Sequence, residues 1–379
     1  MAASVMIVAG EASGDQYAAR LARRLHARMP DLDLFGMGGD AMRGAGVELL
    51  VDSTELAVVG LVEVARHYPR LKGALDRLRA ALRARRPDLL VLVDYPDFNL
   101  RLARTAKALG IPVLYYVSPQ VWAWRRGRVK TIAQRVDHMA VIFPFEVEIY
   151  RAAGVPVTFT GHPLLETTRP TRPRAETLRH WGLDPDRRTV ALLPGSRHSE
   201  IQRLLRPALD AARLLHERDR ELQFILPLAP GLDAELIAPR LMAAGLPLAL
   251  ARDDTVNAVA ASEAALTASG TATLVVGLLE VPLVIYYKVA WPTYLLGRLL
   301  VRGVRHIGMV NVLAGRAIAP EFIQHRARAR RLTAALEELL NRPHAATVQR
   351  RALAELRATL HRPESGPDVD DVVLALLAR

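Results

Sequence analysis

Short, almost continuously apolar runs alternate along this chain with longer amphipathic stretches. Val5–Ala9 precedes a stretch of helical periodicity at Asp15–Arg28, and Leu89–Asp94 precedes another at Leu100–Leu109. Strands that are apolar at every position are typical of parallel sheets covered on both faces, and the helices between them supply that cover. The alternation therefore predicts an α/β fold built from doubly wound parallel sheets.

The same rhythm occurs twice, on either side of a polar interruption. The segment His162–Arg174 carries several Pro and Thr residues, which is typical of a linker, and a new apolar run begins at Val190. We therefore expect a first domain at 1–165 and a second at 166–349, which face each other across a cleft. The tail has helical periodicity, and we expect its last helix, 350–379, to complete the first domain.

Composition narrows the classes of protein to which this chain can belong. None of the 379 residues is Cys, which excludes disulfides and thiolate metal sites, and the apolar share of 51% argues against disorder. The apolar start of the chain ends at Glu11 and lacks a basic region, so we interpret it as a buried strand and not as a signal peptide. No segment has the length and apolar character of a transmembrane helix.

The net charge of +12 comes mainly from Arg, since only four of the 51 basic residues are Lys. Such a surface attracts nucleic acid, anionic lipid or phosphorylated substrates, whereas a coding bias toward Arg with ordinary solvated faces is the alternative. Val58–Val64 is apolar apart from Gly60 and Glu63 and is followed by basic residues, and Trp291–Arg305 mixes aromatic and apolar residues with Arg. Each is explained either by contact with an anionic membrane or by ordinary helix packing.

In parallel α/β folds, ligands bind beside the loops that follow the carboxyl ends of the strands. The first such loop, 9–15, reads AGEASGD. It lacks the GxGxxG pattern and its two acids would repel a pyrophosphate, so it suits sugar hydroxyls or a hydroxyl acceptor better. Capping of the following helix is the alternative for its polar residues. The candidate residues of this loop are Glu11, Ser13, Gly14 and Asp15.

A second loop, 94–99, reads DYPDFN and brings two more acids to a strand end. Asp94 ends an apolar strand, where a catalytic carboxylate would emerge, and Asp97 begins the next helix. With Glu11 they form the candidate catalytic set, while a structural loop-end acid and a helix cap are the respective alternatives. A metal bound by the pair needs further ligands, and no His or third acid lies close by in sequence.

A third loop, within YYVSPQVWAWR at 115–125, carries two Trp residues between a strand and a helix. Loops usually favour polar residues, whereas aromatic walls suit a sugar ring or an acyl chain. Ser118 and Trp122 are therefore candidate substrate-binding residues. A loop that packs into the core is the alternative.

The second half contains two loops with the character of phosphate sites. LPGSRHSE at 193–200 places a Gly-Ser-Arg turn between a strand and a helix, where free N–H groups and the fork of Arg197 suit an anion. ASGTATL at 268–274 again offers small residues and hydroxyls at a helix start. Simple helix capping is the alternative for both. The candidate binding residues are Ser196, Arg197, Glu200, Ser269, Gly270, Thr271, Ala272 and Thr273.

Eight stretches together resemble one family, the lipid-A-disaccharide synthases, in the family's order and spacing. They extend from about Val5 to about Gln324, so the resemblance covers most of the chain. The stretches are AGEASGD, DYPDFN, YYVSPQVWAWR, FPFE, GHPL, LLPGSR, ASGTATL and NVLAG.

The resemblance implies a GT-B fold of two Rossmann-like halves and an inverting transfer. A 2,3-diacylglucosamine unit would pass from its UDP carrier to the 6-hydroxyl of 2,3-diacylglucosamine 1-phosphate. Carried over by motif, Asp94 resembles the catalytic base and Arg197 a diphosphate ligand, while Glu11 and Asn311 match positions that line the cleft. The UDP would contact 269–273. No metal and no other cofactor is implied.

The resemblance also implies a cellular setting. Members of the family are cytoplasmic proteins that attach peripherally to the inner membrane, an anionic surface, and many form homodimers by exchanging C-terminal segments. A nucleic-acid partner rests on the charge of this chain alone, so we expect none.

One position departs from the family pattern. Where the family usually reads GTATLE, with a Glu that holds the donor ribose, this chain has Val275. Glu280 lies five residues later, which on a helix is about 140° away from the original face. Weakened ribose binding, another ribose ligand or a different donor would each accommodate the change. Two alternatives for the function of this chain therefore stay open. It is either a different GT-B enzyme that acts on a UDP-sugar, such as another glycolipid transferase or a UDP-GlcNAc epimerase, or a non-catalytic homologue that binds UDP-sugars or lipid.

Overall fold

The computed structural model describes residues 3–56, 61–122, 127–229, 231–291 and 305–378. Its contacts divide the chain into two compact units, of which the first consists of residues 1–163 and 360–379 and the second of residues 164–359. Each unit contains a parallel sheet flanked by helices, so the predicted α/β fold class is confirmed.

The sheet of the first unit has its most buried strands at the centre. In chain order, its strands are β1 (Ser4–Ala9), β2 (Asp33–Gly38), β3 (Glu48–Asp52), β4 (Leu89–Val93), β5 (Val113–Tyr116), β6 (His138–Val141) and β7 (Val157–Phe159). Within the described residues, these seven strands are ordered β3-β2-β1-β4-β5-β6-β7. Val5 of β1 is paired with Leu34 on one side and Leu89 on the other, so this strand is covered on both edges and both faces.

Helices connect the strands of the first unit and bury one face each. They are α1 (Ala12–Arg28), α2 (Asp40–Arg43), α3 (Leu61–Arg85), α4 (Pro96–Ala108), α5 (Arg128–Ala133) and α6 (Glu146–Ala152), with a 3-10 turn at Ser53–Leu56. In α1, the buried residues Ala18, Leu21, Ala22 and Leu25 recur at intervals of three and four. This spacing produces a single apolar stripe that packs on the sheet.

A glycine allows β2 to lie close to β1. Gly36 has φ of 153°, and a Cβ at this position would lie 1.9 Å from the carbonyl oxygen of Ile7. The register between β2 and β3 also shifts between Gly36 and Met37. Only a residue without a side chain fits here, because the obstruction is backbone and cannot move aside.

The second unit repeats the architecture with a different strand set. Its strands are β8 (Thr189–Leu193), β9 (Gln223–Leu228), β10 (Leu248–Arg252), β11 (Ala264–Ala268), β12 (Leu283–Tyr287) and β13 (Glu321–Ile323). Among the residues that the structure describes, the order of these six is β10-β9-β8-β11-β12-β13, all parallel.

Two apolar layers cover the faces of this second sheet. Along β8, Val190 and Leu192 pack into one layer, whereas Ala191 and Leu193 pack into the other. This alternation follows from the two-residue period of a strand. The surrounding helices are α7 (Leu164–Thr167), α8 (Arg174–His180), α9 (His198–Arg218), α10 (Ala234–Met242), α11 (Thr255–Ala260), α12 (Thr271–Leu278), α13 (Met309–Ala314), α14 (Ala329–Asn341) and α15 (Pro343–Leu360), with a 3-10 turn at Gln324–Arg326.

The end of the chain packs against the first unit. Helix α16 (Val369–Leu377) begins with a capping box formed by Asp368 and Asp371. Arg24 of α1 forms ion pairs of 2.7 Å with Asp368 and 2.8 Å with Asp370, and Arg28 reaches Asp371 at 2.6 Å. Because the side chains of Asp368 and Asp370 are only 12% and 4% exposed, the two pairs of Arg24 are better shielded from solvent than ordinary surface pairs, whereas the pair between Arg28 and Asp371 lies at the surface.

Among the helices of the described part of the chain, none has the length and apolar character needed to cross a bilayer. Of the two segments considered for membrane contact, residues 58–60 of the first and 292–304 of the second lie outside the described residues. Of their side chains, those of Trp291 and Arg305 are described and exposed, the first by 60%.

Candidate active site

In each sheet, the order of the strands creates one point at which the chain changes its direction of winding. In the first unit this point lies between β1 and β4, and in the second it lies between β8 and β11. The loops that follow two such strands diverge and leave a crevice at their carboxyl ends, where ligands bind in α/β proteins. The loops selected from sequence occupy these positions in both units: 10–15 beside 94–97, and 194–197 beside 269–273.

Asp94 emerges directly from the end of β4 and is partly buried. Burial, followed by the negative charge of Glu11 on the neighbouring loop, raises the pKa of its carboxyl to about 7. The structure therefore brings together the two acids that the sequence had placed on separate loops. A carboxylate with a pKa near neutrality is a far better base for an alcohol than a free Asp.

The backbone around Asp94 is unusual. Asp94 has φ of 45° and Tyr95 has φ of 47°, so two consecutive residues with side chains adopt the left-handed conformation. The ring of Tyr95 lies over Gly10, where an added Cβ would approach the ring to 2.2 Å. Gly10 is therefore required for the contact between the two loops.

Glu11 and Ser13 are exposed at the start of α1, whereas Gly14 and Asp15 are buried. Neither Ser13 nor Asp15 acts as the cap of this helix, because its N-cap residue is Glu11, which makes no side-chain cap bond. Glu11 and Ser13 are thus the members of this loop that a ligand reaches from solvent.

The carboxylate of Asp15 binds the start of a different helix. It accepts hydrogen bonds from the backbone N–H groups of Gly39 at 2.7 Å, Ala41 at 3.0 Å and Met42 at 3.1 Å. These donors are the free amides at the beginning of α2, which favour a negative partner. Backbone donors thus bind both carboxylate oxygens of Asp15 and give it a structural role, while its expected contact with substrate stays a prediction.

Asp97 is exposed in the first turn of α4 and forms an ion pair with Arg128 of α5. In the described parts of the chain, no group of three or more His, Asp or Glu side chains is arranged to hold a metal ion. The ion pair favours a structural role for Asp97. In the alternative, a metal ion would be shared by Asp94 and Asp97, but the described residues supply no third side-chain ligand for it.

The loop after β5 is packed between aromatic side chains. Ser118 is buried and its hydroxyl lies 2.6 Å from that of Tyr150, while Val117 before it has φ of 62°. Trp122 packs edge-on against Phe145, with 5.5 Å between the ring centroids, and its indole N–H donates to Oε1 of Glu146 at 3.3 Å. The second Trp of this loop lies outside the described residues.

Glu146 is a residue whose role the sequence did not predict. It is 1% exposed, and burial raises the pKa of its carboxyl to about 8, with hydrogen bonds opposing this shift and the charge of Asp94 adding to it. Its Oε2 is buried without a hydrogen-bond partner of ordinary geometry among the described residues. At neutral pH the group therefore keeps its proton. The sequence signal for this buried acid was its place at the end of the aromatic stretch FPFE, shortly after β6.

In the second unit, Glu200 shapes the loop that follows β8. Its Oε2 accepts from the backbone N–H of Ser196 at 2.9 Å, and its Oε1 accepts from the hydroxyl of Tyr287 at 3.1 Å. A Cβ on Gly195, which has φ of 123°, would collide with the Glu200 side chain at 2.5 Å. Glu200 therefore supports the turn, while its expected contact with substrate stays a prediction.

Arg197 is the exposed cation of this loop. It occupies the N-cap position of α9, its side chain is 59% exposed, and its guanidinium lies 3.7 Å from the carboxylate of Glu200. Such a weak pair leaves most of the guanidinium fork exposed to an anion at the start of the helix.

The loop after β11 combines open space with internal hydrogen bonds. Gly270 has φ of 138° with no atom within 4 Å of an added Cβ, and Thr271 beyond it is exposed. The hydroxyl of Ser269 donates to the Ile307 carbonyl at 2.7 Å, and that of Thr273 donates to the Gly270 carbonyl at 2.7 Å. Backbone amides around Gly270, Thr271 and Ala272 are thus better placed for a ligand than these two hydroxyls.

Asn311 is fully buried and uses its whole side-chain amide within the protein. Its Nδ2 donates at 2.7 Å to the Ala319 carbonyl and to the Glu321 carboxylate, and its Oδ1 accepts at 2.8 Å from the N–H groups of Ile318 and Ala319. These four bonds use every hydrogen-bonding group of the side chain and give it a supporting role, while its expected contact with substrate stays a prediction.

Val275 lies within α12, whereas Glu280 lies beyond its C-terminal end. Val275 is partly buried in the middle of the helix, whereas Glu280 follows its C-terminal end with φ of 56°. Glu280 also forms a 3.0 Å ion pair with Arg357 of α15. Glu280 therefore does not replace the missing acid near Gly270, because it lies beyond the opposite end of the helix.

Comparison with known protein families gives a match along almost the whole chain. The model of the lipid-A-disaccharide synthetase family matches residues 5–367. The lipid-A-disaccharide synthase of Geobacter sulfurreducens is 49% identical over 375 residues, which cover 99% of this chain and 97% of that protein. The synthase of Nitrosococcus oceani is 51% identical over 335 residues, covering 88% and 86%.

Solved structures with the same architecture are much more distant in sequence. A glycosyltransferase of kitacinnamycin superposes with a TM-score of 0.64 at 16% identity, covering all of both chains. A calicheamicin glycosyltransferase gives 0.60 at 15%, covering 100% of this chain and 99% of that one. The UDP-GlcNAc 2-epimerase of Neisseria meningitidis gives 0.60 at 9%, with the same coverage. These likenesses concern the fold alone, and with the two parallel sheets they confirm the predicted GT-B architecture.

Proposed function

Because this chain belongs to the lipid-A-disaccharide synthase family and is a glycosyltransferase, we propose that it joins two acylated glucosamine units. The donor is UDP-2,3-diacylglucosamine and the acceptor is 2,3-diacylglucosamine 1-phosphate. The products are UDP and the disaccharide 1-phosphate of the lipid A pathway, with inversion at the anomeric carbon.

The observation that carries this proposal is the placement of Asp94 beside Glu11 at the winding point of the first sheet. The carboxylate of Asp94 takes the proton of the acceptor 6-hydroxyl, whose oxygen forms the new bond to the anomeric carbon. The bond between that carbon and UDP breaks, and UDP leaves with the bonding electrons. As in glycoside hydrolysis, charge develops on the sugar and on the leaving group together.

The second unit supports this step by binding the leaving group. Arg197, the start of α9 and the backbone amides at 270–272 supply positive potential where the diphosphate gains charge. Groups that are fixed before the reaction stabilise the transition state without reorganisation. In the first unit, Trp122 and Ser118 belong to the wall for the acceptor sugar or its acyl chains, and Glu11 and Ser13 to its polar contacts.

The membrane and the partner subunit belong to the same proposal. Both substrates carry acyl chains, and an Arg-rich chain of net charge +12 is attracted to an anionic surface such as the cytoplasmic face of the inner membrane. The ion pairs between α16 and α1 would form equally well between two copies that exchange their C-terminal segments. Peripheral attachment and an exchanged homodimer are therefore the setting in which we place the reaction.

A transfer assay tests the proposed function. Purified protein mixed with UDP-2,3-diacylglucosamine and 2,3-diacylglucosamine 1-phosphate should release UDP and form disaccharide 1-phosphate in equal amounts. Omission of the acceptor should stop UDP release. Turnover of UDP-GlcNAc without any lipid acceptor would instead support the epimerase alternative. Binding of UDP-sugar with no turnover of either kind would indicate a non-catalytic homologue.

Val275→Glu should tighten donor binding by about 10-fold, because a carboxylate on this helix would accept a hydrogen bond from the ribose. Titration calorimetry with UDP measures the change. Glu280→Gln is the matched control and should leave the affinity unchanged, since Glu280 is paired with Arg357. An unchanged Kd for Val275→Glu would show that the ribose is held elsewhere.

A further inference from the structure

Asp94 and Tyr95 require an external restraint. Their φ angles of 45° and 47° lie in the left-handed region, where side chains clash with the backbone. Strained residues of this kind persist only where the surrounding structure holds them, and they concentrate at functional sites. In this protein the restraint acts on the carbonyl oxygen of Asp94.

Two buried side chains donate to this one oxygen. The hydroxyl of Tyr115, on the adjacent strand β5, lies 2.5 Å away, and Nδ2 of Asn99, on helix α4, lies 2.7 Å away. Both residues are completely buried. Nδ2 of Asn99 also reaches the Val93 carbonyl at 3.2 Å, so it holds the peptide groups on both sides of the strand end.

The arrangement is anchored in elements that cannot easily shift. Tyr115 is paired in register with Leu92 in the centre of the sheet, and Asn99 donates its backbone N–H to the Tyr95 carbonyl at 3.0 Å. The Tyr95 ring in turn covers Gly10. A strand, a helix and the opposite loop thus converge on the peptide that carries Asp94.

We propose that Tyr115 and Asn99 are positioning residues, which hold the Asp94 peptide in its left-handed conformation and thereby direct the carboxylate toward Glu11 and the acceptor hydroxyl. This inference rests on the proposed role of Asp94 as the base. In an ordinary right-handed conformation, the Cα–Cβ bond of Asp94 would point elsewhere, and the carboxylate would leave the crevice beside the loop at 10–15.

Tyr115→Phe tests the inference, because it removes one hydroxyl and leaves the ring in place. Tyr286→Phe is the matched control: Tyr286 is also fully buried, and its hydroxyl donates to a backbone carbonyl, that of Leu204, at 3.0 Å in the second unit. Both variants lose one buried hydrogen bond of the same type, so we expect similar decreases in Tm. Only Tyr115→Phe should lower kcat, by about 10-fold or more, with KM changed less than about 2-fold.

A second measurement does not depend on turnover. It uses NMR of protein labelled with ¹³C at the Asp carboxyls, in which the Asp94 signal is identified by its loss in Asp94→Asn. This signal should titrate at lower pH in Tyr115→Phe than in wild type, because a carboxylate that is no longer held in place becomes more exposed to solvent. Equal losses of kcat in the two Tyr variants would overturn the proposal, and so would an unchanged Asp94 titration in Tyr115→Phe. If wild type shows no transfer, the proposed function fails while this titration still decides whether Tyr115 positions Asp94.

Discussion

Replacement of Asp94 by Asn should reduce the rate of transfer about 10³-fold, while UDP binds with unchanged affinity. Removal of a general base typically costs a factor of 10² to 10⁴, and the amide keeps the size and most of the polarity of the acid. Steady-state transfer assays and calorimetry with UDP measure the two effects separately. Asp97→Asn, the same change three residues later, should cost less than about 10-fold, because Asp97 is exposed and paired with Arg128.

The pH dependence follows from the same carboxyl. Because the base must be ionised and its pKa is raised to about 7, kcat/KM should rise with pH and level off above a midpoint near 7. Burial is the larger cause and Glu11 the second, so Glu11→Gln should move the midpoint to lower pH by removing a neighbouring negative charge. A midpoint near 4 in the wild type, or full turnover by Asp94→Asn, would contradict the assignment of the base.

Stability provides an independent check on the sign of this shift. The folded protein holds the Asp94 proton up to about pH 7, whereas the unfolded chain loses it near 3.8. The wild type therefore loses stability relative to Asp94→Asn as pH rises from about 4 to about 7, and the difference stays constant above that range. Urea denaturation of both proteins at pH 4, 6 and 8 should show this trend, which would be absent if Asp94 had an ordinary pKa.

The sequence predicted the parts of the fold whose signal is local. Strands such as β1 and β4 are apolar at nearly every position because helices cover both of their faces, and this makes them visible in the sequence. The edge strands β3, β7, β10 and β13 are only partly buried, so they lack this signal and were not predicted. The positions of the candidate loops followed from the strand ends and required no knowledge of packing.

The roles of individual polar residues were harder to predict, because they depend on partners from distant parts of the chain. Asp15 binds amides at 39–42, and Asn311 is satisfied by residues at 318–321, so both act within the protein. No local pattern distinguishes such a residue from a ligand-binding one. Glu146 was missed because its raised pKa arises from burial in the folded protein. The preceding residues Phe143, Pro144 and Phe145 indicate such burial only weakly.

Arg197→Ala should lower kcat/KM about 10²-fold to 10³-fold and weaken the binding of UDP. The guanidinium is exposed at the start of α9, where its charge adds to that of the helix terminus as the diphosphate leaves. Removal of one fixed donor to a developing oxyanion has effects of this size. Transfer kinetics and calorimetry with UDP report the two quantities.

The matched control is Arg206→Ala on the same helix. Arg206 is 90% exposed and its pair with Asp210 is long, at 3.8 Å, so its removal changes the net charge equally without touching the loop at 194–197. We expect less than a 2-fold change in either quantity. Arg197→Lys keeps the charge but loses the fork, and should recover only part of the activity. Equal losses in Arg197→Ala and Arg206→Ala would mean that the positive surface acts as a whole, and that this loop does not hold the diphosphate.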